Sequence, residues 1–263
     1  MTGKLQSHRD VIEANYFSNW GDLWYPHIAN LLLRPVSSVR WITPNAVTVA
    51  SLGCYTVACV GVASSNRLAL LWAALLPVSY VLDCLDGQLA RFTARGSVLG
   101  DYLDKTFDVL KIGMINLAFG YHAFVQSGSA LFLVLAFLSC FGFLFRYYIK
   151  LETMFSCTNR DTDYLEKSKA RRSELTAEYV RIGAGRRTLA DHVTWLWLRH
   201  RSILALDEAE HVTFGAIAVA FDRVDVWLWV FGLGQVGLAF FRLVERGYLL
   251  SIRPVRLLDP MRK

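Results

Sequence analysis

Long apolar segments recur along the whole chain, and they constrain its fold more than any other feature of the sequence. A helix needs about 20 apolar residues to cross the hydrocarbon core of a bilayer. The mean hydropathy of +0.33 is too high for an ordinary soluble domain. Three of the segments are short, and they reach spanning length only if their polar ends enter the membrane boundary. We identify six segments, at 45–64, 68–81, 109–125, 129–148, 212–221 and 224–244.

The sequence therefore predicts an all-α, polytopic membrane protein with six transmembrane helices. Residues 1–43 mix Trp, Tyr and Leu with charges, which predicts an N-terminal interfacial segment with a helix in the membrane surface. The six-helix domain is expected over 44–251 and includes a cytosolic loop at about 152–210, the one long polar insertion. A cytosolic tail follows over 252–263.

The distribution of basic residues predicts the orientation in the membrane. With the N-terminus in the cytosol and six spans, only Arg67 and Arg223 fall in external loops, and 26 of the 28 Lys and Arg residues are cytosolic. This asymmetry follows the positive-inside rule and places both termini in the cytosol. The basic residues flank membrane segments, which suits anionic lipid headgroups and argues against nucleic acid as a partner. A bacterial cell membrane and an internal membrane such as the endoplasmic reticulum both fit.

Aspartates are concentrated between the second and third apolar segments, where their charge is expensive. On a helix, with about 100° per residue, Asp83 and Asp86 share one face with Gly87 and Ala90. Small residues on that face allow a ligand or another backbone to come close. The sequence thus predicts a carboxylate-bearing face at the cytosolic end of the second span.

The next helix carries a matching stripe. Gly100, Asp104 and Asp108 are spaced by four residues, so they lie on one side of a helix. The Ala-Arg-Gly-Ser sequence at 94–97 predicts the turn between the two helices. Because the helices form an antiparallel hairpin, we expect the two carboxylate faces to meet at the cytosolic boundary.

Several carboxylates this close together need protons or cations beside them. Two unit charges 4 Å apart repel by about 4 kcal/mol at an effective dielectric of 20. Carboxylate oxygens are ligands for hard divalent cations such as Mg²⁺, Mn²⁺ and Ca²⁺. A solvated run of charges at helix ends is the alternative, but boundary carboxylates in membrane proteins are usually functional. Lys105 and Lys111 could offset part of the charge in a purely structural role.

The same stretch resembles the signature of the CDP-alcohol phosphotransferase family. Every residue and gap of that signature is filled over 26 positions. The matching residues are Asp83, Asp86, Gly87, Ala90, Arg91, Gly100, Asp104 and Asp108.

The resemblance implies an integral membrane phosphotransferase that moves a substituted phosphate from a CDP-linked donor to an alcohol and releases CMP. It implies that Asp83, Asp86 and Asp104 hold two divalent ions, Mg²⁺ or Mn²⁺, and that Asp108 completes this site and takes the proton from the attacking hydroxyl. It further implies a homodimer and a CDP pocket. The residues expected to line that pocket are Gly87, Ala90, Arg91 and Gly100.

Other residues are assigned from their positions along the helices. Asn45 and Thr48 begin the first span on the cytosolic side and are candidates for contact with the nucleotide, although helix capping and packing explain them too. Arg146 and Lys150 end the fourth span one turn apart. They are candidates for binding an anionic acceptor or headgroup, and positive-inside anchoring explains them equally well.

The sequence leaves several functions open. Phosphatidyl transfer from CDP-diacylglycerol to a small polar alcohol in phospholipid biosynthesis is favoured because the six-span chain is compact. The signature serves equally the reverse arrangement, with a CDP-choline or CDP-ethanolamine donor and diacylglycerol as acceptor. An aspartate-rich membrane prenyltransferase would leave the signature glycines and arginine unexplained. An ion or lipid transporter is disfavoured because the carboxylates cluster at one membrane face.

Overall fold

The computed structural model describes residues 20–64, 68–170 and 201–252, and all regular structure in these ranges is helical. Short 3-10 helices at Trp20–Leu23 and Arg201–Ala205 and a helical segment at 164–170 accompany the longer helices. The longer helices are α1 Tyr25–Ser37, α2 Pro44–Ser64, α3 Ala69–Thr93, α4 Val98–Ser127, α5 Leu131–Arg160, α6 Glu208–Ala220 and α7 Val224–Ile252.

Four of the described helices, α2, α3, α5 and α7, are long and apolar enough to cross a membrane. This confirms an all-α integral membrane protein. Helix α4 has 30 residues, but its first half carries the charged residues of the aspartate stretch. Helix α6 has 13 residues. A helix of that length spans about 20 Å, less than the hydrocarbon core. The six-span count therefore stays a prediction.

The helices alternate in direction, so the bundle has two chemically different ends. The starts of α2, α4 and α6 lie with the ends of α3, α5 and α7 at what we call the acidic end. At the opposite end, His122 Nδ1 of α4 lies 2.9 Å from the carbonyl of Val62 in α2, and Gln126 donates to Asp222 after α6. Between the ends lies a continuous apolar core, which includes Tyr55, Leu76, Ile115, Phe119 and Leu228.

The predicted helix hairpin is present, and its turn is capped by its own residues. Helix α3 ends at Thr93, and Ala94 takes a left-handed conformation with φ of 54°. The side chain of Ser97 then accepts a hydrogen bond from the Gly100 N–H at 3.0 Å, which caps the start of α4. The turn at 94–97 therefore directs α4 back along α3. This antiparallel arrangement brings the carboxylate-bearing faces of the two helices together.

Helix α1 lies within the predicted N-terminal segment and packs against α3. Ala29 and Leu33 are buried, whereas Leu31 is 76% exposed. The backbone carbonyl of Pro26 accepts a hydrogen bond from Gln88 of α3 at 2.8 Å. This amphipathic helix is consistent with an interfacial position, while residues 1–19 lie outside the described part of the chain.

The predicted cytosolic loop is helical at both of its ends. Helix α5 continues through Arg160, and α6 begins at Glu208. Residues 171–200 of the loop and 253–263 of the tail lie outside the described ranges. The proposed domain boundaries stay predictions.

Candidate active site and metal centre

Three of the predicted aspartates come together at the acidic end. Asp83 from α3 and Asp104 and Asp108 from α4 each offer a carboxylate oxygen, and these oxygens all lie within 4.8 Å of one another. All three side chains are half-buried. The antiparallel hairpin produces this meeting, because the end of α3 lies beside the start of α4. The group can hold a divalent cation, since it combines hard oxygen ligands with access from outside.

Asp86, the fourth predicted ligand, is not one of those three but lies next to them. It is 5% exposed, and its charge interacts with both Asp83 and Asp104. Among the described residues, Oδ2 of Asp86 and Oδ1 of Asp108 have no hydrogen-bond partner. Buried carboxylate oxygens are normally paired. Oxygens left in this state fit a site that receives a cation.

Arg91 lies one turn beyond Asp86 and covers Gly87. Its Nη1 atom is 3.4 Å from the position where a Cβ on Gly87 would lie, so the guanidinium packs directly over the glycine. The guanidinium also interacts with Asp86 and Asp104. Within the described ranges, its Nε has no hydrogen-bond partner. A planar donor beside the carboxylates is well suited to a phosphate.

Asn45 and Thr48 of α2 reach the same region, as the sequence predicted. The Asn45 Oδ1 atom is 2.9 Å from where a Cβ on Gly100 would lie, so the glycine allows α2 and α4 to approach closely. The Thr48 side chain interacts with Asp86 and also donates to the carbonyl of Pro44 at 3.1 Å. The packing of Asn45 and Thr48 is therefore visible, whereas the start of α2 is capped by Thr43, whose Oγ1 accepts a hydrogen bond from the Ala46 N–H at 3.2 Å. Contact of Asn45 and Thr48 with a nucleotide stays a prediction.

Lys111 and Glu208 belong to this cluster. Sequence reasoning assigned Lys111 a structural role in offsetting the charge of the aspartates, but it did not place Glu208 in the site. Lys111 is 1% exposed and forms an ion pair with Asp83. Its Nζ is 3.8 Å from Asp108 Oδ1 and 3.7 Å from Glu208 Oε1. In the sequence, Glu208 lies near the end of the predicted polar loop. A carboxylate at the start of an apolar segment is the signal that would have identified Glu208.

Arg146 forms hydrogen bonds with residues that lie much later in the sequence, at the end of the predicted loop and in α7. Its Nη2 donates to Asp207 Oδ1 at 2.7 Å, and its Nη1 donates to Gln235 Oε1 and to the Ala205 carbonyl, both at 2.7 Å. These bonds join α5 and α7 to the segment that leads into α6. Lys150 is exposed, and its Nζ lies 5.9 Å from the centre of the Tyr147 ring. Acceptor binding by Arg146 and Lys150 stays a prediction.

We expect Arg146→Met to destabilise the protein by about 3 kcal/mol, because it removes one partner of a largely buried ion pair together with its hydrogen bonds. Unfolding of the detergent-solubilised protein measures the effect. Arg223→Met is the matched control, since Arg223 pairs with Asp225 on an exposed surface and should contribute about 1 kcal/mol or less. Equal stability losses for the two variants would contradict the structural role of Arg146.

Comparison with known proteins agrees with this geometry. A family model described as CDP-alcohol phosphatidyltransferase matches residues 41–177, just over half of the chain. No curated protein matches the chain. The matched range contains the aspartate cluster, Arg91 and Arg146, whereas Glu208 lies beyond it.

Proposed function

The chain belongs to the CDP-alcohol phosphatidyltransferase family, and we propose that it transfers a phosphatidyl group from CDP-diacylglycerol to a small polar alcohol in phospholipid biosynthesis. Membership makes it a membrane enzyme that transfers substituted phosphate groups, with CMP as the other product. The observation that supports the proposal best is the meeting of Asp83, Asp104 and Asp108 at the end of the bundle where Arg91 also lies. The family match favours this chemistry over prenyl transfer and over transport.

The family uses divalent metal ions, and the aspartate cluster fits them. We propose two ions, Mg²⁺ or Mn²⁺, held by Asp83, Asp86, Asp104 and Asp108. One oxygen each of Asp86 and Asp108 lacks a hydrogen-bond partner among the described residues, which supports this assignment. When bound, such ions supply positive charge that neutralises a diphosphate and its leaving group.

Asp108 is the residue that we propose acts directly in the transfer step. Asp108 accepts the proton of the acceptor hydroxyl, whose oxygen forms a bond to the lipid-bearing phosphorus. The bond between that phosphorus and the bridging oxygen breaks, and CMP leaves with the electron pair. A positioned carboxylate can act as general base in this way if it reaches the hydroxyl. Asp108 is 33% exposed, which is consistent with access for the acceptor.

The CDP pocket is proposed beside these carboxylates. Arg91 donates to the diphosphate, and its position over Gly87 supports this role. The remaining predicted lining residues lie on the neighbouring turns of α2, α3 and α4, where small side chains leave space. They are Asn45, Thr48, Ala90 and Gly100.

The acceptor site is proposed at the cytosolic end of α5, and the assembly is proposed to be a homodimer. Arg146 and Lys150 remain the candidates for an anionic acceptor, although the bonds of Arg146 already engage it in the fold. The homodimer rests on the family resemblance alone. The cytosolic location of both termini rests on the distribution of basic residues.

The proposal is tested by CMP release from purified protein with Mg²⁺ and CDP-diacylglycerol over a panel of alcohols. We expect release that depends on one alcohol and produces the matching phospholipid. Release only with CDP-choline or CDP-ethanolamine plus diacylglycerol would instead establish the reverse arrangement, in which the donor carries no lipid. No release with either donor class would contradict the phosphotransferase assignment.

A further inference from the structure

The ammonium of Lys111 is the centre of a buried charge cluster that the proposed reaction leaves unexplained. It is bonded to Asp83, and Asp108 and Glu208 lie within 4 Å of it. One cation on α4 therefore faces carboxylates from α3, α4 and α6. A buried ammonium is stable only with such partners, because desolvation of an isolated charge is very costly.

Glu208 is the member of this cluster that lies outside the matched family region. Its carboxyl group lies beside that of Asp108. Among the described residues, its Oε1 atom has no hydrogen-bond partner. Lys111 is therefore the counter-charge that makes the burial of this carboxylate tolerable.

The protein fixes the position of Glu208 through the residues that precede it. Arg146 binds Asp207 and the Ala205 carbonyl, and Gln235 of α7 donates to the Leu206 carbonyl at 2.5 Å. Leu206 itself has a positive φ of 47°, a conformation that non-glycine residues adopt rarely. Helices α5 and α7 thus hold the start of α6 so that Glu208 faces Lys111.

We propose that Glu208 is a positioning residue for cation binding: it offers the Lys111 ammonium, which is bonded to Asp83 in this structure, an alternative carboxylate 3.7 Å away, so that Asp83 and Asp108 become available to a divalent ion. This inference rests on the proposed function, because it assigns those aspartates to metal binding. Lys111 and a divalent ion compete for the same oxygens. Without the charge of Glu208, the ammonium binds Asp83 and Asp108 more tightly, and divalent ions bind more weakly.

The test uses the purified full chain in detergent micelles and Mn²⁺ as the probe, with free Mn²⁺ measured by electron paramagnetic resonance. We expect Glu208→Gln to weaken Mn²⁺ binding roughly 10- to 100-fold, the usual cost of losing a partner behind a metal ligand. Glu208→Asp retains the charge and should recover part of the affinity.

Glu210→Gln is the matched control. Glu210 lies on the same helix, is fully buried, and accepts a hydrogen bond from the Trp20 N–H at 3.2 Å. Because it shares no contact with Lys111, its loss should change Mn²⁺ affinity by about threefold or less. Equal weakening by Glu208→Gln and Glu210→Gln would overturn the inference, as would Mn²⁺ affinity in Glu208→Gln equal to that of the wild type.

A second comparison tests whether Glu208 acts through Lys111. The double variant Lys111→Met with Glu208→Gln removes both charges, so it avoids leaving one buried ion alone. We expect its Mn²⁺ affinity to exceed that of Glu208→Gln by about tenfold, because the competing ammonium is gone. Mn²⁺ affinity as low as in Glu208→Gln would overturn the inference.

The metal dependence of CMP release distinguishes a positioning role of Glu208 from a general effect on the stability of the protein. In Glu208→Gln, the metal concentration for half-maximal CMP release should rise by the same factor as the Mn²⁺ dissociation constant. The rate at saturating metal should stay within about threefold of wild type, since the transferring groups are intact. A lower melting temperature with an unchanged metal requirement would show a merely structural role. Absence of Mn²⁺ binding in the wild type would overturn the proposed function itself.

Discussion

The Asp108→Asn variant is expected to release CMP about 10²–10⁴ times more slowly than the wild type, the usual cost of losing a general base. The amide has nearly the shape of the carboxylate but cannot accept the proton of the acceptor hydroxyl. Asp108 also contributes one oxygen to the three-carboxylate group, so the metal requirement should rise as well. Initial rates of CMP release, measured at several Mg²⁺ concentrations, separate the two effects, because excess Mg²⁺ restores only the second.

Asp101→Asn is the control for this experiment. Asp101 lies in the first turn of the same helix, but its side chain is exposed and it is not part of the three-carboxylate group. It should retain CMP release within about threefold of wild type, as expected for a surface position away from the reacting groups. Full activity of Asp108→Asn at saturating Mg²⁺ would show that another group takes the proton.

The hairpin that carries the site could be predicted because local rules determine it. The four-residue spacing of Asp104 and Asp108, the turn at 94–97 and the requirement for antiparallel neighbours all depend on residues close together in the chain. The capping of α4 by Ser97 follows the same local logic. No long-range information was needed to bring Asp83 near Asp104 and Asp108.

Glu208 was not placed in the site because its proximity to Lys111 depends on the packing of α6 against the hairpin. The two residues are separated by almost a hundred residues, and part of the long polar insertion lies between them. The same holds for Arg146, whose partners Asp207 and Gln235 come from distant segments. Sequence spacing reports which residues share a helix face, but it does not report which helices are neighbours. Helix α4 was predicted to supply one of the six spans, but it is not among the four found in the described residues; it combines a length of 30 residues with the buried charge of Lys111.

Removal of divalent cations should also lower the rate of CMP release strongly. Exhaustive treatment with EDTA is expected to reduce CMP release by at least about 1,000-fold, since metal ions stabilise developing charge by several kcal/mol and each 1.36 kcal/mol is a factor of ten. Added Mg²⁺ or Mn²⁺ should restore the rate. The physical reason is that Asp83, Asp104 and Asp108 repel one another and the diphosphate, and Lys111 alone cannot balance that charge.

The Asp104→Asn variant tests whether the dependence of CMP release on divalent cations arises from the three-carboxylate group. Asp104 is one of the three grouped carboxylates, but no ion pair with Lys111 is recorded for it within the described ranges. Its loss should therefore weaken metal binding directly, raising the Mg²⁺ concentration for half-maximal CMP release roughly 10- to 100-fold. The variant Asp101→Asn should keep the wild-type Mg²⁺ requirement. CMP release that survives EDTA in the wild type would contradict the metal assignment, because four carboxylates without cations would repel the diphosphate they are proposed to bind.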